Sequence, residues 1–325
     1  MTVRYAVLLK VHYWNEFAER RLRHLLERAP NGDIHIFVDE THGQVGPIAH
    51  DRVIRATEGD MAELNVVLEP SGTLFWYNVD YPLYYFFLHH SSYDYYLMCE
   101  HDAVPNIDID NFVRTAHRDG IDYVGFPTTE IGWPLKTGEA AYPKTFKLYQ
   151  WLNCLSLHSK RSVEFLLERR QLLAQRYAAG EIAVWPNNEV FIPTEMFNNG
   201  FPVRSLADYG NIDRYNWWPP TLEDDLPQLQ DHAFLHPVLD ERKYVASCLR
   251  FSNLLSYKSL AEDSELRRLL GRWKPLSLAP LFLKEFARQA ALKLMPTFLL
   301  NAIPSTQNAG RFRLMLRANR PNGNE

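Results

Sequence analysis

Glu100 and Asp102, separated by His101, end an apolar and aromatic run, Tyr93-Asp94-Tyr95-Tyr96-Leu97-Met98-Cys99. The run is of β-strand type, and Pro105 forbids it from continuing far in a central sheet. Two acids at the end of a buried strand are costly to leave unpaired. A divalent cation offsets that cost, because carboxylate oxygens suit hard ions such as Mg²⁺ or Mn²⁺. The plainer alternative is a strand end with two solvated acids. Four more residues could join this chemistry. Lys10 ends the first apolar run, where it neutralises a phosphate or lies solvated. Asp39 ends the second run, where it meets a ribose or caps a loop. Glu189 stands in Trp185-Pro186-Asn187-Asn188-Glu189, near a helix start, as a base or as an acid favoured by the helix dipole. His236 ends the short apolar element Phe234-Leu235-His236, as a ligand or as a core histidine.

The elements that must position these residues are legible in the spacing. Residues 4–10 form a strand, 14–28 an amphipathic helix with Phe17, Leu22, Leu25 and Leu26 inward, and Asp33 to Asp39 a second strand. This is a βαβ unit, hence a parallel sheet with right-handed crossovers. No GxGxxG follows the first strand, which disfavours a dinucleotide fold. Residues 41–54 read as loop and 60–68 as a short helix or strand. Residues 78–90 predict a helix directly before the acidic strand. A helix over 108–118 begins with Asp108 or Asp110 near its N-terminus, and Ile121 to Pro127 is a strand. Residues 128–148 lack periodicity and read as a substrate loop. Tyr149 to Leu157 is a strand, and Ser159 caps a helix over 160–178. Trp76, Tyr77 and Asn78 line a ring-shaped ligand or anchor a loop. Trp217 and Trp218 form an aromatic platform for such a ligand or pack internally.

Composition sets the frame. The chain has 325 residues, 46% of them hydrophobic and 23% charged, enough for a sizeable globular core. Its 17 Tyr and 8 Trp suit a protein that stacks on rings, or one with an aromatic core. Three scattered cysteines form no zinc pattern and no disulfide framework, in keeping with a reducing compartment. The N-terminus is not of signal-peptide type and no 18-residue apolar run occurs. A cytoplasmic location is expected, with attachment to the inner face of the cytoplasmic membrane as its variant. Residues 271–325 carry nine Lys or Arg and two acids, a net of +7, whereas the other 270 carry −11. Over 276–296 the apolar residues 281, 282, 286, 290 and 294 alternate with basic ones at 284, 288 and 293, and 311–320 add four arginines. A basic amphipathic helix of this kind lies on an anionic membrane surface or packs on a catalytic domain. The acidic remainder excludes a nucleic-acid binder.

The order of these features resembles the GT-A fold of nucleotide-sugar glycosyltransferases over about residues 3–245. An acid follows the second strand at Asp39, an acid-x-acid triplet ends a central strand, an acid sits near a later helix start at Glu189, and His236-Pro237 follows. The resemblance implies a Rossmann-like α/β domain with a mixed, mainly parallel sheet over residues 1–250, and a helical extension over 251–325. It implies a divalent ion, Mn²⁺ or Mg²⁺, held by the triplet as the DXD-type motif, with His236 completing the shell. It also implies a nucleotide diphosphate sugar as donor, a UDP-sugar foremost. Lys10, Asp39, Trp76, Asn78, Glu100 and Asp102 would bind that donor. Glu189, ahead of Glu195, would serve as base toward a glycan or lipid-linked acceptor, as in surface polysaccharide assembly. The triplet departs from the usual pattern in having Glu first, so Asp102 is the safer ligand and Glu100 binds through water or the ribose. His101 should face away from the ion, because adjacent strand residues alternate. Two rivals remain. A nucleotidyltransferase would show a Gly-rich loop after the first strand, where this chain has Lys10-Val11-His12-Tyr13-Trp14. A non-catalytic membrane scaffold would work through its tail.

Overall fold

The computed structural model describes residues 3–69, 74–128, 132–255, 261 and 264–294. They form two compact units, one of residues 1–216 and 230–236, the other of 217–229 and 237–325.

The first unit is built on ten strands: β1 (Tyr5–Val11), β2 (Asp33–Asp39), β3 (Val53–Ala56), β4 (Tyr95–Glu100), β5 (Val104–Pro105), β6 (Tyr123–Pro127), β7 (Trp151–Ser159), β8 (Val203–Ser205), β9 (Arg214–Tyr215) and β10 (Phe234–His236). Seven make one sheet in the order β3-β2-β1-β4-β7-β6-β8. Its pairings are parallel except on the two sides of β7. The fold is therefore mixed α/β with a mainly parallel sheet. The acidic strand β4 is its middle member. Sequence order runs outward from β1 through β2 to β3, then restarts on the other side with β4. That reversal makes a crevice outside the carboxyl ends of β1 and β4, where open α/β sheets take their ligands.

Six helices cover the sheet: α1 (Glu16–Arg28), α2 (Tyr81–His89), α3 (Ile109–Arg118), α4 (Trp133–Ala141), α5 (Lys160–Ala178) and α6 (Asn188–Asn198). Their starts are written locally. Asn15 accepts from the Ala18 amide at 3.1 Å, Asp108 from Asn111 at 2.9 Å and Ser159 from Ser162 at 3.1 Å, each satisfying an amide that the helix leaves over. Val7, Leu9 and Val11 of β1 pack with Leu22 and Leu25 of α1 and Phe112 of α3. Ala6 and Leu8 face the other way, toward Phe86 of α2, Leu166 of α5 and Phe191 of α6. Strand alternation thus gives the sheet two cores.

Three expectations change here. Residues 53 and 54, read as the end of a loop, begin β3, which extends the parallel sheet. Residues 58–64 are a 3₁₀ helix. The segment read as a substrate loop contains α4, whose Pro134 stands in its first turn, the one helical place where proline costs nothing. Gly138 within α4 hid the helix in the sequence. Its role is close packing, since a Cβ there would lie 2.5 Å from Val190 of α6.

The second unit contains α7 (Glu241–Phe251), α8 (Glu265–Arg272) and α9 (Pro275–Leu294). They share a small core of Val245, Cys248, Leu249, Leu254, Leu266, Leu269 and Leu278. The boundary drawn from the sequence at 250 falls inside α7. The Gln289 amide donates to the Ser252 carbonyl at 2.9 Å and accepts from the Leu254 amide at 3.1 Å, tying α9 to the end of α7. Leu283, Phe286 and Leu294 of α9 are exposed. Among the described residues, no helix is long and apolar enough to cross a membrane. The arginine-rich segment 311–320 lies outside the described residues.

Candidate active site

The register of the sheet assembles the first part of the site. Lys10 pairs with Glu100 across β1 and β4, and alternation sends both side chains to the same face. Lys10 Nζ lies 3.3 Å from Glu100 Oε1 and 3.4 Å from the Val79 carbonyl. The Lys10 side chain is fully buried, whereas Glu100 keeps 14% of its side chain exposed. Burial pushes the Glu100 carboxyl above the usual carboxylate range and Lys10 pulls it back. Asp102 adds to the rise and His236 opposes it. Lys10 is thus buried and turned to Glu100 and the Val79 carbonyl, which excludes the solvated lysine of the alternative reading.

A small second sheet brings in the histidine. β5 follows the acid triplet at once and pairs antiparallel with β10, which pairs parallel with β9. This ribbon carries His236 back over a turn that lies more than a hundred residues earlier in the chain. His236 Nε2 stands 3.8 Å from Asp102 Oδ1. Its Nδ1 bonds the Asn216 carbonyl at 2.7 Å. A carbonyl only accepts, so Nδ1 carries a proton toward Asn216 and Nε2 is the ring nitrogen turned to Asp102. A backbone partner on one nitrogen orients an imidazole whose other nitrogen can meet a metal.

Sequence reasoning missed the next residue. β7 runs antiparallel to β4, with Cys99 opposite Leu155, and the following step sets Cys154 beside Glu100. Donor atoms of Glu100, Cys154 and His236 all lie within 4.8 Å of one another. Burial raises the Cys154 thiol well above its ordinary pKa, and the charges of Glu100, Asp102 and Glu189 raise it further. Glu189 thus acts on the same group as both acids of the triplet. The only hint in the sequence was the polar pair Asn153-Cys154 interrupting an apolar strand.

Glu189 is placed by buried amides. The Tyr123 hydroxyl donates to Asn153 Oδ1 at 2.6 Å, and Asn153 Nδ2 donates to Asn188 Oδ1 at 3.2 Å. The side chains of Asn188 and Asn187 both donate to the Tyr77 carbonyl, at 2.9 and 3.2 Å. The Asn187 amide donates to Thr137 Oγ1 of α4 at 3.0 Å, while Asn187 Oδ1 caps Glu189 at 2.9 Å. With Asn187 and Asn188 wholly buried, Glu189 is the first residue of α6 that reaches partial exposure. Glu195 is fully buried and paired with Arg169 at 2.9 Å, an architectural use.

The remaining candidates fall around this centre. Asp39 lies at the same carboxyl edge on β2, 7% exposed, its Oδ1 accepting from the Thr41 amide at 2.9 Å. Phe75 and Val79 of the neighbouring loop touch Lys10. Trp76 packs on Trp133 of α4, with ring centres 5.3 Å apart. Asn78 is fully buried and its amide donates to the Glu69 carbonyl at 3.4 Å, so it braces the loop from within. The His101 ring packs edge-on against His12 and Tyr13. Trp217 and Trp218 belong to the second unit, where Trp218 packs on Phe251 at 4.8 Å.

No protein-family model matches the sequence, and no curated protein is significantly similar to it. Two solved structures that it resembles are both glycosyltransferases. One is mouse xyloside xylosyltransferase 1, at 10% identity over 72% of this chain and 97% of that chain, with a TM-score of 0.41. The other is a glycosyltransferase involved in glycosylation of the major capsid of PBCV-1, at 10% identity over 72% of this chain and 92% of that chain, with a TM-score of 0.35.

Proposed function

We propose that the first unit transfers a sugar from a nucleotide diphosphate sugar, a UDP-sugar foremost, to a hydroxyl of a glycan or lipid-linked acceptor. The observation that carries this reading is the pairing of Lys10 with Glu100 at the carboxyl edge where strand order reverses, joined there by Asp102 and His236. A reversal point takes nucleotides, and these side chains suit a cation beneath a diphosphate.

The donor set fits a divalent ion such as Mn²⁺ or Mg²⁺. Asp102, Glu100 and the lone pair of His236 Nε2 would hold it. When bound, it supplies Lewis acidity toward the departing diphosphate. Lys10 opposes the cost of burying the Glu100 charge. Asp39 serves the ribose from β2, and Trp76 flanks the donor. Glu189, fixed at the start of α6, takes the proton of the acceptor hydroxyl as the bond forms. A single displacement then inverts the anomeric centre, and a retained configuration in the product, read by NMR, would remove that step.

Calorimetric titration of UDP and GDP, with and without Mn²⁺, into wild type and Asp102→Ala tests the reading. The expected result is metal-dependent binding of UDP that the variant loses. Absence of binding under every metal condition would sink it.

Residues 277–320 add a second reading, attachment to an anionic membrane surface on the cytoplasmic side, where surface polysaccharide is assembled. It is favoured by the exposed Leu283, Phe286 and Leu294 of α9 beside Lys284, Arg288 and Lys293. Cosedimentation with phosphatidylserine vesicles but not phosphatidylcholine ones is the expected outcome. Equal pelleting with both, or with neither, would remove it.

A further inference from the structure

We propose that Cys154 is a thiolate ligand of the cation site, and that the site accordingly prefers a borderline ion, Zn²⁺ above all, to Mg²⁺. The inference deepens the proposed function and rests on it for the ion's role, though not for its coordination.

Three observations carry it. First, the donor atoms that converge are a carboxylate oxygen from Glu100, an imidazole nitrogen from His236 and a sulfur from Cys154, mutually within 4.8 Å. Bonds of roughly 2.0–2.3 Å around one ion set neighbouring donors about 3–4 Å apart. The set therefore closes on an ion by a shift of about an ångström, well within side-chain rotation. Asp102 lies next to this group, 3.8 Å from His236 Nε2.

Second, the three donors come from three separate elements, β4, β7 and β10, and each is aimed by backbone geometry. Antiparallel pairing of β7 with β4 sets Cys154 beside Glu100. The Asn216 carbonyl holds His236 Nδ1 at 2.7 Å and so turns Nε2 toward the acids. Third, the two cysteines nearest the site are used differently. Cys99 is 1% exposed and its sulfur is directed at the carbonyls of Glu100 and Ala103, at 3.5 and 3.4 Å. Cys154 is 9% exposed and is the one whose sulfur lies within 4.8 Å of the Glu100 carboxylate and the His236 imidazole.

Donor chemistry then selects the ion. Mg²⁺ demands oxygen ligands in near-octahedral array and is poorly served by sulfur. Thiolate with imidazole and carboxylate suits tetrahedral Zn²⁺. On binding, the Cys154 S–H bond breaks, its electron pair goes to the ion and its proton to bulk water.

The test is titration of the full-length protein with Co²⁺, a coloured stand-in for Zn²⁺. The expected result is a thiolate-to-cobalt charge-transfer band in the near ultraviolet. Zn²⁺ should abolish the band and Mg²⁺ should not. It should be absent in Cys154→Ser and retained in Cys99→Ala. Cobalt bound without that band, a band that survives in Cys154→Ser, or no cobalt binding would each overturn the proposal. Should Cys154→Ser fail to fold, X-ray absorption at the zinc edge of wild type decides: sulfur at about 2.3 Å supports the assignment, and a shell of only nitrogen and oxygen at about 2.0–2.1 Å rejects it. UDP titration with Mn²⁺ separates the two readings. Nucleotide binding without a sulfur ligand removes Cys154 alone. A sulfur ligand without nucleotide binding leaves the metal centre and removes the transferase.

Discussion

Two of the buried ion pairs among the described residues of the first unit separate architecture from chemistry by their contrast. Arg170 and Asp80 meet at 2.7 Å with both side chains wholly sealed. Arg170 also donates to the Pro186 carbonyl at 2.8 Å and lies over the rings of Phe191 and Trp185. This pair locks α5, the start of α2 and the approach to α6. Lys10 and Glu100 meet at 3.3 Å, with the acid partly open and a second acid, an imidazole and a thiol within its field. One pair is closed on itself. The other stands beside Asp102, His236 and Cys154, a mixed donor set of the kind that holds a cation. A buried pair is therefore diagnostic only when its exposure and its further partners are read together.

The difference can be broken experimentally, starting at the sealed end. Asp80→Ala strands a guanidinium in the interior and should cost about 3–5 kcal/mol of stability, seen as a large fall in the urea midpoint. An unchanged midpoint would mean that the pair is not architectural. At the open end, Glu189→Gln should lower turnover about 10²–10⁴-fold while the urea midpoint and UDP binding stay as they are. Loss of UDP binding in that variant would place Glu189 on the donor and not on the acceptor.

Replacing the open pair together sharpens the contrast. Lys10→Met with Glu100→Gln removes two buried charges at once, so stability should hold or rise by about 1–4 kcal/mol, while metal-dependent UDP binding disappears. A loss of stability comparable to that of Asp80→Ala would make the pair structural. The most gradual effect, small per pH unit, concerns His158, buried on β7, whose pKa is pushed down to about 3 by burial and then by Lys10. The unfolded chain protonates this imidazole near pH 6.5 and the native state does not. Its contribution is therefore complete above pH 6.5 and is lost at about 1.4 kcal/mol per pH unit as pH falls toward 3. Denaturation curves at several pH values should show that slope weakened in His158→Gln. An identical slope in the variant would assign the acid sensitivity elsewhere.

Much of this was legible without coordinates. β2 occupies the predicted residues, α3 and α5 start at predicted caps, and α1 falls within the predicted 14–28 with Asn15 as its cap, because a cap and an apolar period are local properties. α4 was hidden because glycine and proline usually break helices. Here proline occupies the first turn and glycine permits close contact with α6. Cys154 was hidden for another reason. Nothing within its own strand marks it, and its neighbours come from β4 and β10.

The sequence by itself determined the parallel βαβ start, the acidic strand end and the helix start that carries Glu189, since each depends on residues a few positions apart. It also set the charge asymmetry of the tail. Only the tertiary structure decided that Lys10 is sealed behind Glu100 and no longer faces solvent. It likewise decided that Glu195 is spent on Arg169, and that His236 and Cys154 converge on the acid triplet. Those outcomes depend on strand order and register. A register joins residues across any sequence distance, and one step of slippage would turn every side chain to the opposite face.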